Sequence, residues 1–248
     1  MERMYGSPEI VEQRRRTRAL LALEPGERGL EIGCGIGFLA CEMAREVGPG
    51  GRITALDASA DMVAVARARA AREDLAIDFV AGDATRLEFP ERSFDFAVAV
   101  QVYLYVKDIG RALGEAARVL RPGGRMVVVD TDWDSCVWLS SDRELHLRLK
   151  EARLREFPQP HLPPVLPSLL QAAGLEVVAV DAYPVLNLRY EPQSFSGEMI
   201  DIWGRMAARH GADPAEVQAW AEDLKSRTGE GEYFFSVNRY LFLARKNR

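Results

Sequence analysis

Between Leu30 and Gly37 the chain reads Leu-Glu-Ile-Gly-Cys-Gly-Ile-Gly, with glycines at alternate positions directly after a short apolar run. Residues without a Cβ let a backbone turn sharply after a strand and approach a ligand closely. A dinucleotide fingerprint, G-x-G-x-x-G counted from Gly33, would place its last glycine at position 38, and that residue is Phe38. A pyrophosphate therefore fits poorly, which argues against an NAD(P)-dependent oxidoreductase. Asp57 closes the next apolar run, where a carboxylate can accept from both hydroxyls of a ribose. Asp83 follows Ala81-Gly82 after a third run and can accept from an exocyclic adenine amine, with Met62 packing on the ring. Each acid alone also reads as a helix or turn cap. The glycine turn and the two acids together point to a nucleoside.

The elements that position these residues follow from periodicity. Ser7 to Leu23 reads as a leading helix, bounded by Ser7-Pro8 and Pro25-Gly26. Short apolar strands at Gly29 to Ile32, Arg52 to Leu56 and Ala76 to Val80 alternate with helices at Phe38 to Val47 and Ala60 to Arg72. Strand-helix alternation of this kind implies a parallel sheet. Phe94 to Val100 and Arg125 to Val129 are unbroken apolar strands, with a helix at Ile109 to Leu120 between them and a turn at Arg121-Pro122-Gly123-Gly124. Asp142 to Phe157 reads as a helix. The proline-rich stretch from Pro158 to Pro167 reads as an irregular, rigid loop, followed by a helix over Val165 to Ala173. Glu176 to Ala182 and Tyr233 to Ala244 are the sixth and seventh strands. Glu191 to Gly231 reads as a two-helix insertion or lid between them, on residues 191–231 of a single domain spanning 1–248, with 1–24 as the N-terminal helical segment.

In order, Leu30 to Gly37, Ala55-Leu56-Asp57-Ala58-Ser59, Gly82-Asp83-Ala84, Phe94-Asp95 and Arg118 to Gly124 resemble the motifs of class I S-adenosylmethionine-dependent methyltransferases, the small-molecule and quinone methyltransferase-like group. The resemblance is strong over residues 25 to 130. It implies a Rossmann-like α/β fold with a seven-stranded, mostly parallel sheet, helices on both faces and an antiparallel last strand. It implies S-adenosyl-L-methionine as cofactor, with Glu31, Gly33, Cys34, Gly35 and Gly37 around the methionyl part. Asp57 and Ala58 then lie at the ribose, Met62, Gly82, Asp83 and Ala84 at the adenine, and Gln101 and Val102 along the methionine. Relatives that end the fourth strand with a histidine differ from Tyr103 to Asp108 here, so no histidine base carries over. Cyclisation or another use of the sulfonium remains open beside methyl transfer.

For catalysis and acceptor binding the candidates are Asp132, Tyr5 and His161. Asp132 and Asp134 leave the carboxyl end of the fifth strand, the edge on which open α/β sheets bind ligands. With Trp133 and Trp138 they read either as an acidic, aromatic pocket for a cation or as an exposed capped turn. His161 is a candidate base, Tyr5 a cover for the cofactor, and Phe195, Met199, Ile202, Trp203 and Met206 a stripe over the acceptor or a core face. His146 and His210 read as surface residues.

Composition narrows the partners. Of 248 residues 48% are hydrophobic and 28% charged, with a net charge of −5, so nothing draws the chain to nucleic acid or anionic lipid. Arg14, Arg15, Arg16 and Arg18 read as the solvated side of the leading helix. Cys34, Cys41 and Cys136 form neither a metal-ligand pattern nor a disulfide framework, which leaves no metal site to expect and suits a reduced cytoplasm. No apolar window is long enough to span a membrane. The expected partner is a small-molecule methyl acceptor.

Overall fold

The computed structural model describes residues 2–247, so Met1 and Arg248, the outer ends of the expected domain, lie outside the described residues. Residues cluster into two compact units. The sheet unit comprises Arg14–Asp130, Leu162–Ala182 and Tyr240–Arg248, and the aromatic unit comprises Met1–Gln13, Thr131–His161 and Tyr183–Arg239.

The sheet unit is built on strands β1 (Arg28–Ile32), β2 (Arg52–Asp57), β3 (Ile77–Ala81) and β4 (Phe94–Val100), continued by the long strands β5 (Leu120–Trp138), β6 (Leu175–Asn187) and β7 (Phe235–Lys246). Their order in the sheet is β3-β2-β1-β4-β5-β7-β6, six parallel and the last antiparallel. The apolar runs of β1, β2 and β4 are buried almost throughout rather than at alternate residues, because helices cover both faces. Leu30, Ile32, Ala97, Ala99, Met126 and Val128 join helices α5 (Ile109–Val119) and α7 (Leu162–Ala172) in one core. Helix α3 (Phe38–Val47) begins at Gly37 and stops at Gly48, both with positive φ. Helix α4 (Ala60–Arg72) is capped by Ser59, whose hydroxyl accepts from the Met62 amide.

Four expectations change here. The proline-rich stretch is helical from Leu162: Pro163 and Pro164 occupy the first turn, where no N–H has an intrahelical partner, and Pro167 forfeits one bond further on. The arginines of helix α2 (Pro8–Leu21) do not share one solvated face: Arg15 is exposed, but the others are at least half-buried. Arg14 is buried and donates to Glu42 at 2.9 Å, Arg18 pairs with Glu42 and Glu46, and Arg16 pairs with Asp181. Strand β5 neither starts after the Arg121–Gly124 turn nor ends near Val129. Residues 121–124 bulge between the Phe94–Leu120 and Phe96–Arg125 pairs, and the strand runs on to Trp138. Strand β6 also continues past Ala182 to Asn187, with Val178, Val180 and Leu186 exposed on one face.

The aromatic unit contains the short helix α1 (Glu2–Tyr5), helix α6 (Arg143–Leu154), the expected helical pair α8 (Phe195–Arg209) and α9 (Pro214–Glu230), and the β5 residues past Asp130. Asp142, Ser194 and Asp213 cap these three longer helices through their side-chain oxygens. The rings of Trp203, Trp220 and Phe235 surround Trp138 with centroids 5.4, 5.6 and 4.7 Å away. His146 corrects its surface reading: it is buried, stacked on Trp203 and Trp220, and accepts from the Trp220 indole at 3.2 Å. Among the described residues no helix is long and apolar enough to cross a membrane.

Candidate functional site

Three parallel strand ends in the sheet unit bring the predicted nucleoside residues together. The amides of Gly33 and Cys34 both donate to the Leu56 carbonyl, at 2.7 and 2.9 Å, so the glycine loop folds back over β2. Gly33, Gly35 and Gly37 all have positive φ, the region glycine enters without strain. Close approach fixes Gly33 as well, since a Cβ there would sit 2.3 Å from Val102 Cγ2. Val102 thus meets the loop from the end of β4, where the amide of the preceding Gln101 donates to Val129 O at 2.8 Å.

Asp57 is the hinge of the arrangement. One carboxylate oxygen accepts from the Gly35 amide at 2.8 Å, the other from the Ser59 amide at 2.9 Å, and its carbonyl accepts from Gly82 at 2.9 Å. Two carboxylate oxygens carry about four acceptor positions, so roughly two remain for a diol. Ala58 is exposed beside it, and Met62 is half-buried in the first turn of α4. Asp83 is exposed, accepts from the Thr85 amide at 2.8 Å and holds its carboxyl below the usual range mainly through that bond. It therefore makes the turn contact that capping requires and keeps acceptor capacity outward, with Ala84 buried beneath.

Glu31 lies buried under the loop. Burial first, then the charges of Glu42 and Asp57, push its carboxyl well above the usual range. Among the described residues its Oε2 has no hydrogen-bond partner, and a cationic ligand group is what would stabilise the ionised form. A glycine cradle, a braced diol acceptor and an orphaned buried carboxylate oxygen fit the sugar and ammonium of S-adenosylmethionine. Burial also pushes the Cys34 thiol up, so it is inert lining rather than a nucleophile.

Tyr5, Asp132 and His161 all fall in the aromatic unit. Tyr5 is half-buried at the end of α1. Asp132 is half-buried on β5, its carboxylate accepting from the Asp134 amide at 3.1 Å. His161 is exposed and its Nδ1 lies 2.6 Å from an Asp134 carboxylate oxygen. Trp203 is in the packed interior, so the stripe Phe195, Met199 and Trp203 is a core face.

The cation pocket imagined around Trp133 is filled by the protein itself. The Arg153 guanidinium lies 3.6 Å from the Trp133 ring centroid, with Trp203 and Phe157 at 4.7 and 4.9 Å. Sequence reasoning missed Arg153, because a helical arginine is ordinarily solvated. Its signal was spacing: His146 and Arg153 are seven apart beside Leu145, Leu149 and Ala152, which places both on the buried face of α6.

A family described as a methyltransferase domain matches residues 30–128. Over 122 residues the chain is 35% identical to the demethylmenaquinone methyltransferase of Listeria monocytogenes, covering 49% of this chain and 52% of that protein. The chain spans about half the length of this and similar curated relatives, or less. Two solved structures share the fold over nearly the whole chain. The phosphoethanolamine N-methyltransferase 2 of Haemonchus contortus, in complex with phosphomonomethylethanolamine and S-adenosylhomocysteine, is 20% identical with a TM-score of 0.63, covering 98% of this chain and 54% of that one. The cyclase SpnF is 24% identical with a TM-score of 0.62, covering 95% and 80%. Residues 30–128 thus match the methyltransferase-domain family, and the chain shares the Rossmann-like fold of these solved structures.

Proposed function

We propose that this chain binds S-adenosylmethionine in the sheet unit and transfers its methyl group to a small molecule. The observation that carries the reading is Asp57, braced by the amides of Gly35 and Ser59 with acceptor capacity to spare. Gly33, Gly35 and Gly37 admit the methionyl portion, Gln101 and Val102 flank it, and Glu31 receives its ammonium. Asp83, Ala84, Gly82 and Met62 take the adenine. When bound, the cofactor supplies a methyl group activated by the sulfonium, so the protein's tasks are alignment and exclusion of water.

The acceptor side belongs to Tyr5, Asp132 and His161. The net charge of −5 favours neither nucleic acid nor an anionic membrane as partner, and the three buried, unpaired cysteines suit the cytoplasm. A second reading, cyclisation in place of methyl transfer, draws on the likeness to SpnF, and mass analysis separates the two by the gain of one methyl group.

Asp57→Ala is the direct test. Removing a charged acceptor of two hydroxyl hydrogen bonds costs about 1.5 to 3 kcal/mol, so S-adenosylhomocysteine should bind roughly tenfold to hundredfold more weakly by calorimetry. Unaltered affinity in a folded variant removes the ribose role and the reading with it.

A further inference from the structure

We propose that Arg69 is a positioning residue for the amino-acid half of S-adenosylmethionine: through the Ile36 carbonyl and the Phe38 ring it fixes the turn from which helix α3 starts. The inference rests on the S-adenosylmethionine reading and deepens it, and every residue it uses belongs to the sheet unit.

The glycine loop is held at both ends and in its middle. Its inner end is tied to β2 by the amides of Gly33 and Cys34 on Leu56 O, and its middle to Asp57 by the amide of Gly35. At its outer end the Gly37 amide donates to Cys34 O at 3.0 Å, and the Ile36 carbonyl accepts from Arg69 Nε at 3.0 Å. That N–H and that C=O belong to one rigid peptide plane and point opposite ways, so holding both fixes the plane. The clamp matters because the positive-φ glycines on either side of Ile36 offer little steric resistance of their own.

Arg69 is itself held in place. Its guanidinium carbon lies 3.6 Å from the centroid of the Phe38 ring, and that of buried Arg14 lies 4.9 Å from the same ring. Neighbouring arginines of α4 act elsewhere: Arg67 donates to Phe79 O on β3 at 2.9 Å, and Arg72 folds back on Ala68 O of its own helix at 3.3 Å. Helix α4 also presses on the loop directly, since a Cβ at Gly37 would sit 2.8 Å from Ala66 Cβ.

The clamp positions the start of α3. Phe38 is the first residue of that helix, and the Ala40 amide, in its first turn, donates to the Glu31 carboxylate. Where α3 begins therefore orients Glu31 and with it the oxygen assigned to the ligand ammonium. The nucleoside acids depend less on this turn. Asp57 keeps the Ser59 amide of its own turn, and Asp83 keeps that of Thr85. Loosening the outer turn should cost the amino-acid half of the ligand far more than the nucleoside half.

The test uses the full chain as wild type, Arg69→Met, Arg69→Lys, Phe38→Leu and Arg67→Met, each checked by circular dichroism for a folded state. Calorimetry is run with S-adenosylhomocysteine and with 5′-methylthioadenosine, which keeps the nucleoside and the thioether and lacks the amino acid. In Arg69→Met the first ligand should bind about tenfold more weakly and the second within about twofold of wild type. Arg69→Lys keeps a charged donor for Ile36 O and should recover part of the loss. Phe38→Leu removes the ring beneath the guanidinium and should show the same selective loss in smaller measure. Arg67→Met removes an arginine–carbonyl bond from the same helix and should bind both ligands as wild type does. Unchanged S-adenosylhomocysteine affinity in folded Arg69→Met, equal weakening of both ligands, or the same selective loss in Arg67→Met overturns the proposal. If Arg69→Met does not fold, Arg69→Lys and Phe38→Leu carry the same comparison. Failure of the wild type to bind S-adenosylhomocysteine would instead bring down the S-adenosylmethionine reading and this inference together.

Discussion

Trp203→Ala is expected to destabilise the aromatic unit by about 3–5 kcal/mol, the range for deleting a large buried aromatic. Trp203 is 1% exposed, stacks on Trp220 at 6.1 Å and on His146 at 5.9 Å, and meets Trp133 and Trp138 edge-on. Its loss opens a cavity that four aromatic neighbours and Arg153 cannot close without leaving their rotamers. Urea unfolding followed by tryptophan fluorescence should show the lower midpoint, with S-adenosylhomocysteine affinity in the sheet unit close to wild type. A change under about 1 kcal/mol would mean that the indole is dispensable to that core.

The second large effect is on pH. Burial, then the charge of Lys150, pushes His146 down to about 4 from an ordinary value near 6.5. Between those values the unfolded chain binds a proton that the folded chain refuses. Stability is therefore complete above pH 6.5 and falls as pH drops toward 4, by about 3 kcal/mol across the window. Glu31 acts in the opposite sense, because its raised carboxyl favours the folded state at low pH. The difference between wild type and His146→Phe isolates the histidine: the variant should keep its ring stack and lose most of the decline. Parallel decline in both proteins would sink the assignment.

The sheet and its glycine loop were legible because their signals are local. Glycines at alternate positions, acids at the ends of apolar runs and strand-helix alternation each follow from a few consecutive residues, and β1 to β4 fall within a residue or so of their expected bounds. What was illegible depended on distant partners. The arginines of α2 look solvated until Glu42 and Glu46 are opposite them, and His146 and Arg153 look exposed until Trp203 and Trp220 enclose them. Asp134 and His161 were each visible, 27 residues apart, but their pairing was not. The helix from Leu162 was hidden by a rule applied too broadly, since proline is costly inside a helix and nearly free in its first turn.

All three cysteines are buried and unpaired, with burial pushing the Cys41 thiol up to about 11 and the Cys136 thiol up to about 12. At neutral pH almost none of either is thiolate, the form that alkylating reagents attack. The native chain is in effect silent to maleimide and iodoacetamide chemistry. A cysteine placed at exposed Val178 or Val180 would be the one thiol to react, so a fluorophore can be attached at a chosen position without first removing Cys34, Cys41 or Cys136 from the cores they fill.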